Sequence, residues 1–303
     1  MKPVRIGSRG SMLALAQTSW VKQQIESCYP DLQVEMSIIK TSGDRVIDRP
    51  IVAVSGKGVF TKEIEDALLN QTIDIAVHSM KDLPTELPDG LAIVAVPVRE
   101  DARDVLVTKR SLKLADLPRG ARLATGSLRR QAQLLRHRGD LAITPIRGNV
   151  DTRLRKLDDG EADGLIMAAA GLKRIGRADR IGEYLPDEIC VSAVAQGALA
   201  IEARADGGLR ELLGFLHDSV AEAETVAERA LLRRLSGGCH VPIGARARAA
   251  GALLSMIAIV ASPDGATLCK AKLTGATSEA EQLGERLAEE LLKQGADKIL
   301  AAS

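Results

Sequence analysis

Residues Val4–Cys28, VRIGSRGSMLALAQTSWVKQQIESC, combine a short apolar run, a Gly/Ser turn and a longer stretch with helical periodicity. We predict a strand over Val4–Gly7 and a helix over Met12–Cys28. The same alternation continues to residue 98, with further strands predicted over 34–40, 73–78 and 91–98 and a helix over 61–70. Alternating strands and helices are typical of α/β layers, so we expect a mostly parallel sheet.

A second set of strands and helices follows the charged stretch Arg99–Asp104, which we interpret as a crossing between lobes. Its predicted strands cover 123–125, 143–146, 164–167 and 189–191, and its predicted helices cover 128–138, 150–159, 168–175 and 196–203. Helical periodicity then dominates residues 209–235. Three strands over 243–274, with turns at 250–251 and 263–265, precede a closing helix over 278–294. The sequence therefore predicts three α/β or α+β units, the first two alike in build.

Composition places this chain of 303 residues among globular proteins, with 46% hydrophobic and 27% charged residues. The longest apolar runs, 165–170 and 256–261, are too short to span a bilayer, and the first residues lack a signal-peptide pattern. A net charge of +1 and 2% aromatic residues argue against a nucleic-acid-binding surface. The four cysteines and four histidines show neither a disulfide framework nor metal-ligand spacing. We therefore expect a cytoplasmic protein that binds no membrane, nucleic acid or metal.

Cys239 differs from the other three cysteines in its local sequence. It lies in the segment Ser236–Pro242, SGGCHVP, between a helical run and strand-like alternation, so that a turn presents the thiol. The other cysteines lie in apolar or strand-like runs, where a thiol is usually a small core residue. A functional thiol and a structural one both fit this segment, because reactivity depends on an electropositive or exposed setting.

Two turns of the first set carry polar groups at the carboxyl ends of predicted strands, where open α/β sheets bind ligands. Arg9 follows the first strand, and the helix behind it offers backbone N–H groups to an anion. Ser79, Lys81 and Asp82 follow the strand over 73–78. Either turn could also be an ordinary polar loop, with Arg9 solvated and Asp82 paired with Lys81.

Arginines mark the corresponding turns of the second set. Arg129 and Arg130 follow the small turn Thr125–Ser127, and between residues 99 and 191 there are 19 Lys and Arg against 14 Asp and Glu. Further arginines at comparable positions are Arg147, Arg153 and Arg174. Each one alone could be a solvated charge. Together they predict a cleft for a polycarboxylate, since guanidinium groups bind carboxylates through paired hydrogen bonds.

Six segments resemble the porphobilinogen deaminase family, in that family's order and across nearly the whole chain: 5–9 (RIGSR), 56–60 (GKGVF), 78–84 (HSMKDLP), 126–131 (GSLRRQ), 146–150 (IRGNV) and 237–239 (GGC). The resemblance implies three domains, comprising residues 1–98 with 196–216, residues 99–195, and residues 217–303. The first two are expected to be periplasmic-binding-protein-like α/β lobes around a cleft, and the third a smaller α+β domain that carries the cysteine. Ser192 and Ala195 depart from the family, which usually shows proline and glycine there.

The resemblance also implies a chemistry. A dipyrromethane cofactor, held by a thioether to Cys239, receives four porphobilinogen units with loss of ammonia, and hydrolysis then releases a linear tetrapyrrole. Asp82 is the implied catalytic carboxylate. The implied cofactor-binding residues are Cys239, Ser79, Lys81, Asp82, Thr125, Gly126, Ser127, Arg129 and Arg130. The implied substrate-binding residues are Arg9, Ser11, Gln17, Lys57, Phe60, Arg147, Asn149, Arg153, Arg174 and Gln196. No metal and no obligate protein partner is implied, and we expect a monomer.

Two other classes of protein fit part of the pattern. A non-enzymatic solute-binding protein shares the two lobes and the arginine-lined cleft, but it has to be exported and has no use for Cys239. A cysteine hydrolase could use Cys239 as its nucleophile, but the sequence shows no evident His/Asn pair to activate it.

Overall fold

The computed structural model of the chain describes residues 3–45, 61–235 and 242–302. The first elements are β1 (Val4–Ser8), α1 (Met12–Cys28), β2 (Val34–Ile38), α2 (Ser42–Arg45), α3 (Lys62–Leu69), β3 (Ile75–Ser79) and β4 (Leu91–Ala95). The next are β5 (Asp104–Val107), β6 (Arg122–Ala124), α4 (Leu128–His137), β7 (Ala142–Thr144), α5 (Val150–Asp158), β8 (Gly164–Ala168), α6 (Ala169–Arg174) and β9 (Glu183–Tyr184). The last are β10 (Leu199–Arg204), α7 (Leu209–Leu212), α8 (Ser219–Arg234), β11 (Ile243–Ala250), β12 (Leu253–Ala261), β13 (Leu268–Ala276), α9 (Ala280–Lys293) and α10 (Ala296–Ala301).

The chain divides into two compact units. One contains Met1–Arg99 and Ala198–Ala221, and the other contains Glu100–Gly197 and Glu222–Ser303. The chain therefore passes from one unit to the other after residue 99 and back after residue 197, and α8 begins in the first unit and continues in the second. The three-domain division expected from the family, with its bounds at 98, 195 and 216, stays a prediction.

The sheet of the first unit has the strand order β2-β1-β3-β10-β4. β1 runs parallel to β2 and β3, whereas β10 runs antiparallel to both β3 and β4. Ile25 of α1 packs with Ile75 and Ile201 on one face, and Ile64 of α3 packs with Ala76 on the other. The sheet is therefore covered by helices on both faces, and it is mixed rather than mostly parallel as predicted.

The second unit repeats this plan with the strand order β7-β6-β8-β5-β9. β6 is parallel to β7 and β8, and β5 is antiparallel to β8 and β9. Val105 and Leu165 belong to a buried cluster with Leu154 of α5 on one face, and Leu106 packs with Leu134 of α4 on the other. In both sheets the antiparallel strand is the fourth in order.

Three sequence predictions of secondary structure are wrong. Residues 196–203 contain β10 instead of a helix, residues 189–191 form a turn and irregular backbone instead of a strand, and β5 begins at Asp104, inside the predicted crossing. Every residue from 198 to 203 is buried, so this strand lacks the alternation of a half-exposed strand and resembles a buried helix in its hydrophobic pattern. Gly197, at a φ of 89°, also prevents a helix from beginning there.

The C-terminal part forms a small antiparallel sheet with the order β11-β12-β13, as the alternation of its sequence predicts. Leu283, Leu287 and Leu291 of α9 are fully buried, and they lie on one helical stripe. Gly284 lies beside this stripe, where a Cβ atom would come within 2.1 Å of the carbonyl oxygen of Ala227 in α8. The close packing of α9 on α8 therefore requires glycine at this position.

Gly284→Ala tests this contact. Helix propensity alone favours alanine by about 1 kcal/mol, but the added methyl group forces α9 away from α8, and overpacking of this kind costs about 1–3 kcal/mol. We expect a lower midpoint of thermal unfolding than for the parent protein. Glu285→Ala, at the next and exposed position of the same helix, is the control and should leave the midpoint nearly unchanged. A midpoint raised by Gly284→Ala would contradict the packing described.

Candidate active site

The carboxyl ends of β1 and β3 bring several of the predicted residues of the first unit together. Ser11 caps the N-terminus of α1, where its hydroxyl accepts a hydrogen bond from the amide of Ala14 at 3.3 Å. Gln17, one turn further and 3% exposed, donates from Nε2 to the hydroxyl of Ser79 at 2.9 Å. The second turn of α1 is thereby fixed to the end of β3, and Arg9 lies half-buried in the turn before this helix.

Asp82 ends a short 3-10 turn, Met80–Asp82, that follows β3 directly. The amide of Met80 donates to the carbonyl of Ala198 at 3.0 Å, which ties this turn to the start of β10. The side chain of Asp82 is exposed and accepts no hydrogen bond from the residues that the structure describes, while Lys81 beside it is half-buried. The alternative in which Lys81 neutralises Asp82 therefore has no support from an ion pair between them, and the carboxylate is open to a ligand.

The turn between β6 and α4 is built from small polar residues. Ser127 caps α4 and accepts a hydrogen bond from the amide of Arg130 at 3.4 Å, while its own amide donates to the hydroxyl of Thr125 at 3.2 Å. Thr125 is buried, Ser127 half-buried and Gly126 exposed. This turn therefore orients the first residues of α4, which include both predicted arginines.

A fully buried carboxylate, that of Asp104, holds both arginines. Arg129 donates from Nη1 to Oδ2 at 2.6 Å, and Arg130 donates from Nε and Nη2 to Oδ1 at 2.9 and 2.7 Å. Gln196 adds a hydrogen bond from Nε2 to Oδ1 at 3.0 Å, and the thiol of Cys190 lies 3.3 Å from Oδ2. Backbone carbonyls of Val191 and Ile166 accept further hydrogen bonds from the arginines, at 2.7 and 3.0 Å. We call Asp104, Arg129, Arg130, Gln196 and Cys190 the Asp104 network.

The charges of this network fix its protonation state. Burial alone would raise the pKa of Asp104, but the charges of Arg129 and Arg130 outweigh it and hold that pKa well below its usual range. Burial, together with the Asp104 charge, raises the pKa of the Cys190 thiol to about 12. The network therefore contains two guanidinium ions, one carboxylate and a neutral thiol, and it carries a net positive charge away from bulk water.

The remaining predicted residues of the second unit have mixed surroundings. Arg174 donates from Nη2 to the carbonyl of Gly197 at 2.6 Å, and burial lowers the pKa of its guanidinium to about 10. Arg153 donates from Nε to the carbonyl of Gly148 at 2.7 Å. Arg147 and Asn149 are exposed in the turn before α5. Each of these side chains follows the carboxyl end of a strand or its helix, as the sequence predicts.

Three predicted site residues, Cys239, Lys57 and Phe60, lie outside the described residues. Within the described ranges there is no cluster of His, Cys, Asp and Glu side chains that could hold a metal ion. Among these same residues, no helix is long and apolar enough to cross a bilayer.

Sequence reasoning missed Asp104, the residue on which the arginines depend. Its position within a charged stretch, REDARD, made it look like part of a solvated crossing. The available signal was the apolar run Val105–Val107 immediately after it, which is typical of a buried strand. An acidic residue at the head of such a strand needs a buried cationic partner.

Asp104→Asn should be strongly destabilising, because it leaves two buried guanidinium ions without a counter-charge. Loss of one partner of a buried ion pair typically costs about 3–5 kcal/mol, which denaturant unfolding can measure. The control is Asp163→Asn, since Asp163 pairs with Arg122 on the surface of the same unit, where a pair contributes below about 1 kcal/mol.

The stability from Asp104 also depends on pH, with a definite sign. Because folding lowers its pKa, the contribution is present above the ordinary aspartate value of 3.8 and is lost as pH falls through the folded value. Equal destabilisation by Asp104→Asn and Asp163→Asn would contradict the role given to the buried carboxylate.

Comparisons with known proteins show which family this chain resembles. A family profile described as "Porphobilinogen deaminase, dipyromethane cofactor binding domain" matches residues 4–209, and one described as "Porphobilinogen deaminase, C-terminal domain" matches residues 223–293. A porphobilinogen deaminase of Syntrophotalea carbinolica is 51% identical over 300 residues, which cover 99% of this chain and 95% of that relative. One of Geobacter metallireducens is 50% identical over 301 residues, covering 99% and 94%.

Among solved structures, the periplasmic aliphatic sulphonate binding protein SsuA of Escherichia coli is similar to this chain in an alignment that covers 77% of this chain and 70% of SsuA. Its TM-score is 0.38, with 14% sequence identity. The full-length similarity to the curated relatives, with both family profiles in order along the chain, shows that this chain belongs to the porphobilinogen deaminase family.

Proposed function

We propose that this chain is a hydroxymethylbilane synthase. It is a transferase that joins four porphobilinogen molecules, with loss of four ammonia, onto a covalently bound dipyrromethane and then hydrolyses the product to release the linear tetrapyrrole hydroxymethylbilane. Its family membership and the name of its curated relatives, porphobilinogen deaminase, support this reaction. We also propose that it works in the cytoplasm as a monomer, without a metal, a nucleic acid or an obligate protein partner.

The net positive charge of the Asp104 network is the single observation that carries this proposal. Two guanidinium groups, 5% and 7% exposed, face one carboxylate. Every hydrogen bond that the Arg129 side chain donates to the described residues comes from Nη1, so its Nε and second amino group are left to bind another acceptor. An anionic ligand completes such a site, because a charge shielded from water is costly until it is paired.

The dipyrromethane fits this requirement by its chemistry. Each of its two pyrrole rings carries an acetate and a propionate, and carboxylates are the anions that arginine binds best through parallel hydrogen bonds. When bound, it would supply the free ring carbon to which the first porphobilinogen is joined, and each later porphobilinogen would be joined to the free end of the growing chain. We propose that Arg129, Arg130 and the turn Thr125–Ser127 hold its carboxylates, that Ser79 and Lys81 also bind it, and that Cys239 is the covalent anchor.

The incoming substrate carries carboxylates of the same kind and needs its own cations. We assign this role to the remaining residues that the family resemblance implies. These are Arg9, Ser11, Gln17, Lys57, Phe60, Arg147, Asn149, Arg153, Arg174 and Gln196. Gln196 has a second task in the same proposal, since its amide already donates to Asp104 and to the carbonyl of Ala102.

Asp82 is proposed as the catalytic carboxylate. Positive charge develops on the pyrrole as ammonia departs and again as the new carbon–carbon bond forms, and a fixed negative charge stabilises both stages. Asp82 suits this role because it is exposed, stands at the carboxyl end of β3 and accepts no hydrogen bond from the described residues. Its position is nevertheless fixed, since the turn that carries it is bonded to Ala198.

Intact-mass measurement of the purified protein tests the proposed function. We expect a mass increase equal to one dipyrromethane, and we expect Cys239→Ser to fold but to show neither the adduct nor tetrapyrrole synthesis. Cys28→Ser, which removes an exposed cysteine of the first unit, is the control and should keep both. An unmodified parent protein would favour a solute-binding protein or a hydrolase, and an adduct mapped to Cys28, Cys190 or Cys269 would contradict the assignment of the anchor.

Asp82→Asn should retain the cofactor and be nearly inactive, because asparagine has the shape of aspartate but no charge. Loss of preorganised electrostatic stabilisation typically costs about 10²–10³ in rate. Asp82→Glu keeps the charge in a displaced position and should retain partial activity. If Asp82 only stabilised the turn, asparagine would be the milder change. Steady-state rates of the two variants decide between these roles, and a faster Asn variant excludes the electrostatic one.

A further inference from the structure

A second set of buried ionisable groups lies in the first unit, away from the Asp104 network. His78 on β3 and Glu202 on β10 are neighbours on the same face of the sheet, and the imidazole Nε2 lies 2.9 Å from the carboxylate Oε2. Their side chains are 5% and 0% exposed. Glu65, on the buried side of α3, is 7% exposed. We call Glu65, His78 and Glu202 the acid–imidazole cluster.

The surroundings of this cluster are apolar. The sheet face under α3 is otherwise formed by Ile73, Ala76 and Leu91, and α3 covers it with Ile64 and Leu68. Several fully buried side-chain atoms without a hydrogen-bond partner among the described residues lie here, namely Oε1 of Glu65, Nε2 of His78 and both carboxylate oxygens of Glu202. Buried polar groups are nearly always paired, so this concentration requires an explanation.

The close contact between His78 and Glu202 requires a proton on one of the two groups. An imidazole nitrogen and a carboxylate oxygen 2.9 Å apart would otherwise meet as two lone pairs, which repel at that distance. A second carboxylate in the same apolar site is strongly disfavoured as an anion. Burial raises the pKa of Glu65 and outweighs the opposing hydrogen bond from Thr61, while the charge of Glu202 raises this pKa further and His78 opposes the shift. The described charged groups that act on Glu65 are these two and Asp66 of its own helix.

We propose that Glu65, His78 and Glu202 share two protons in the folded protein, and that this neutral cluster positions the end of β3 that carries Asp82. His78 directly precedes Ser79 and the Met80–Asp82 turn, so its link to Glu202 fixes that turn to β10 through a side chain. The backbone bond from Met80 to Ala198 fixes the same two segments through the main chain. The positioning part of this proposal rests on the proposed function, since it affects catalysis only through Asp82.

The shared proton has a consequence for stability that needs no activity measurement. A carboxyl group whose pKa rises on folding stabilises the protein fully below its unfolded value of 4.5, and this stabilisation is lost as pH rises through the folded value. Glutamine has the shape of a protonated glutamate and does not ionise. Glu65→Gln should therefore match the parent protein near pH 4.5 and exceed its midpoint of thermal unfolding at pH 8.5 by roughly 2–4 °C.

Glu211→Gln, an exposed carboxylate on a helix of the same unit, is the matched control and should give the same small difference at both pH values. A Glu65→Gln variant equal to or less stable than the parent protein at pH 8.5 would overturn the shared-proton proposal, because Glu65 would then be folded as an anion with a favourable partner.

Glu202→Leu, which leaves the His78 imidazole without a polar partner on β10, tests the positioning part. Turnover is measured per cofactor-loaded molecule, with loading taken from intact mass, so that a loss of folded protein is separated from a displaced Asp82. We expect kcat to fall about tenfold with KM little changed, and the exposed control Glu211→Gln to keep the parent rate. A purely structural role would lower the loaded fraction and leave turnover per loaded molecule unchanged. A parent protein without a pyrrole adduct would contradict the proposed function while leaving the thermal test of the cluster intact.

Discussion

The buried carboxylate of Asp104 is the group on which the second unit's candidate site depends. Two adjacent arginines, Arg129 and Arg130, emerge from the first turn of α4, where like charges at close range repel and disfavour burial. Asp104 offsets that repulsion and aligns both guanidinium planes by accepting from three of their nitrogens. One carboxylate faces two cations in this network. Asp104 therefore allows both arginines to be buried, yet it leaves a positive charge that a further anion can neutralise.

The two sheets position their key polar groups by the same feature of their topology. Each unit receives an antiparallel strand directly after the chain crosses into it, β5 following Glu100 and β10 following Ala198. The strands next to β5 and β10 run in the opposite direction, so each of these two strands begins at the edge of the sheet where its neighbours end. Its first residues therefore lie beside the carboxyl ends of the neighbouring strands. Asp104 reaches the arginines of α4 in this way, and Ala198 reaches the turn that carries Asp82. The two crossings therefore supply an essential part of each unit's polar edge.

Much of this could be predicted from sequence, and the failures have physical causes. The prediction of the helix Met12–Cys28 is correct to the residue, because a Gly/Ser turn precedes its start and Pro30 lies two residues beyond its end. The strands β5 and β10 were missed, because a strand buried on both faces has no alternation, and a charged residue at its start suggests solvent. Motifs at strand ends located the arginines correctly, but sequence could not show that Asp104, 25 positions from Arg129, is their partner. The predictions for Cys239, Lys57 and Phe60 fall outside the described residues.

Asp82 and Asp104 show how environment assigns different tasks to one residue type. Asp104 is fully buried and saturated with donors, so its charge is committed to holding other side chains and is unavailable to a reacting group. Asp82 is exposed, yet the turn that carries it is fixed by a backbone bond, which leaves its charge free but its position defined. A carboxylate can stabilise a transient cation only if it is not already neutralised and does not have to be reoriented. Asp82 meets both conditions. Asp104 does not meet the first condition, because its charge is already neutralised by the two arginines that it holds in place.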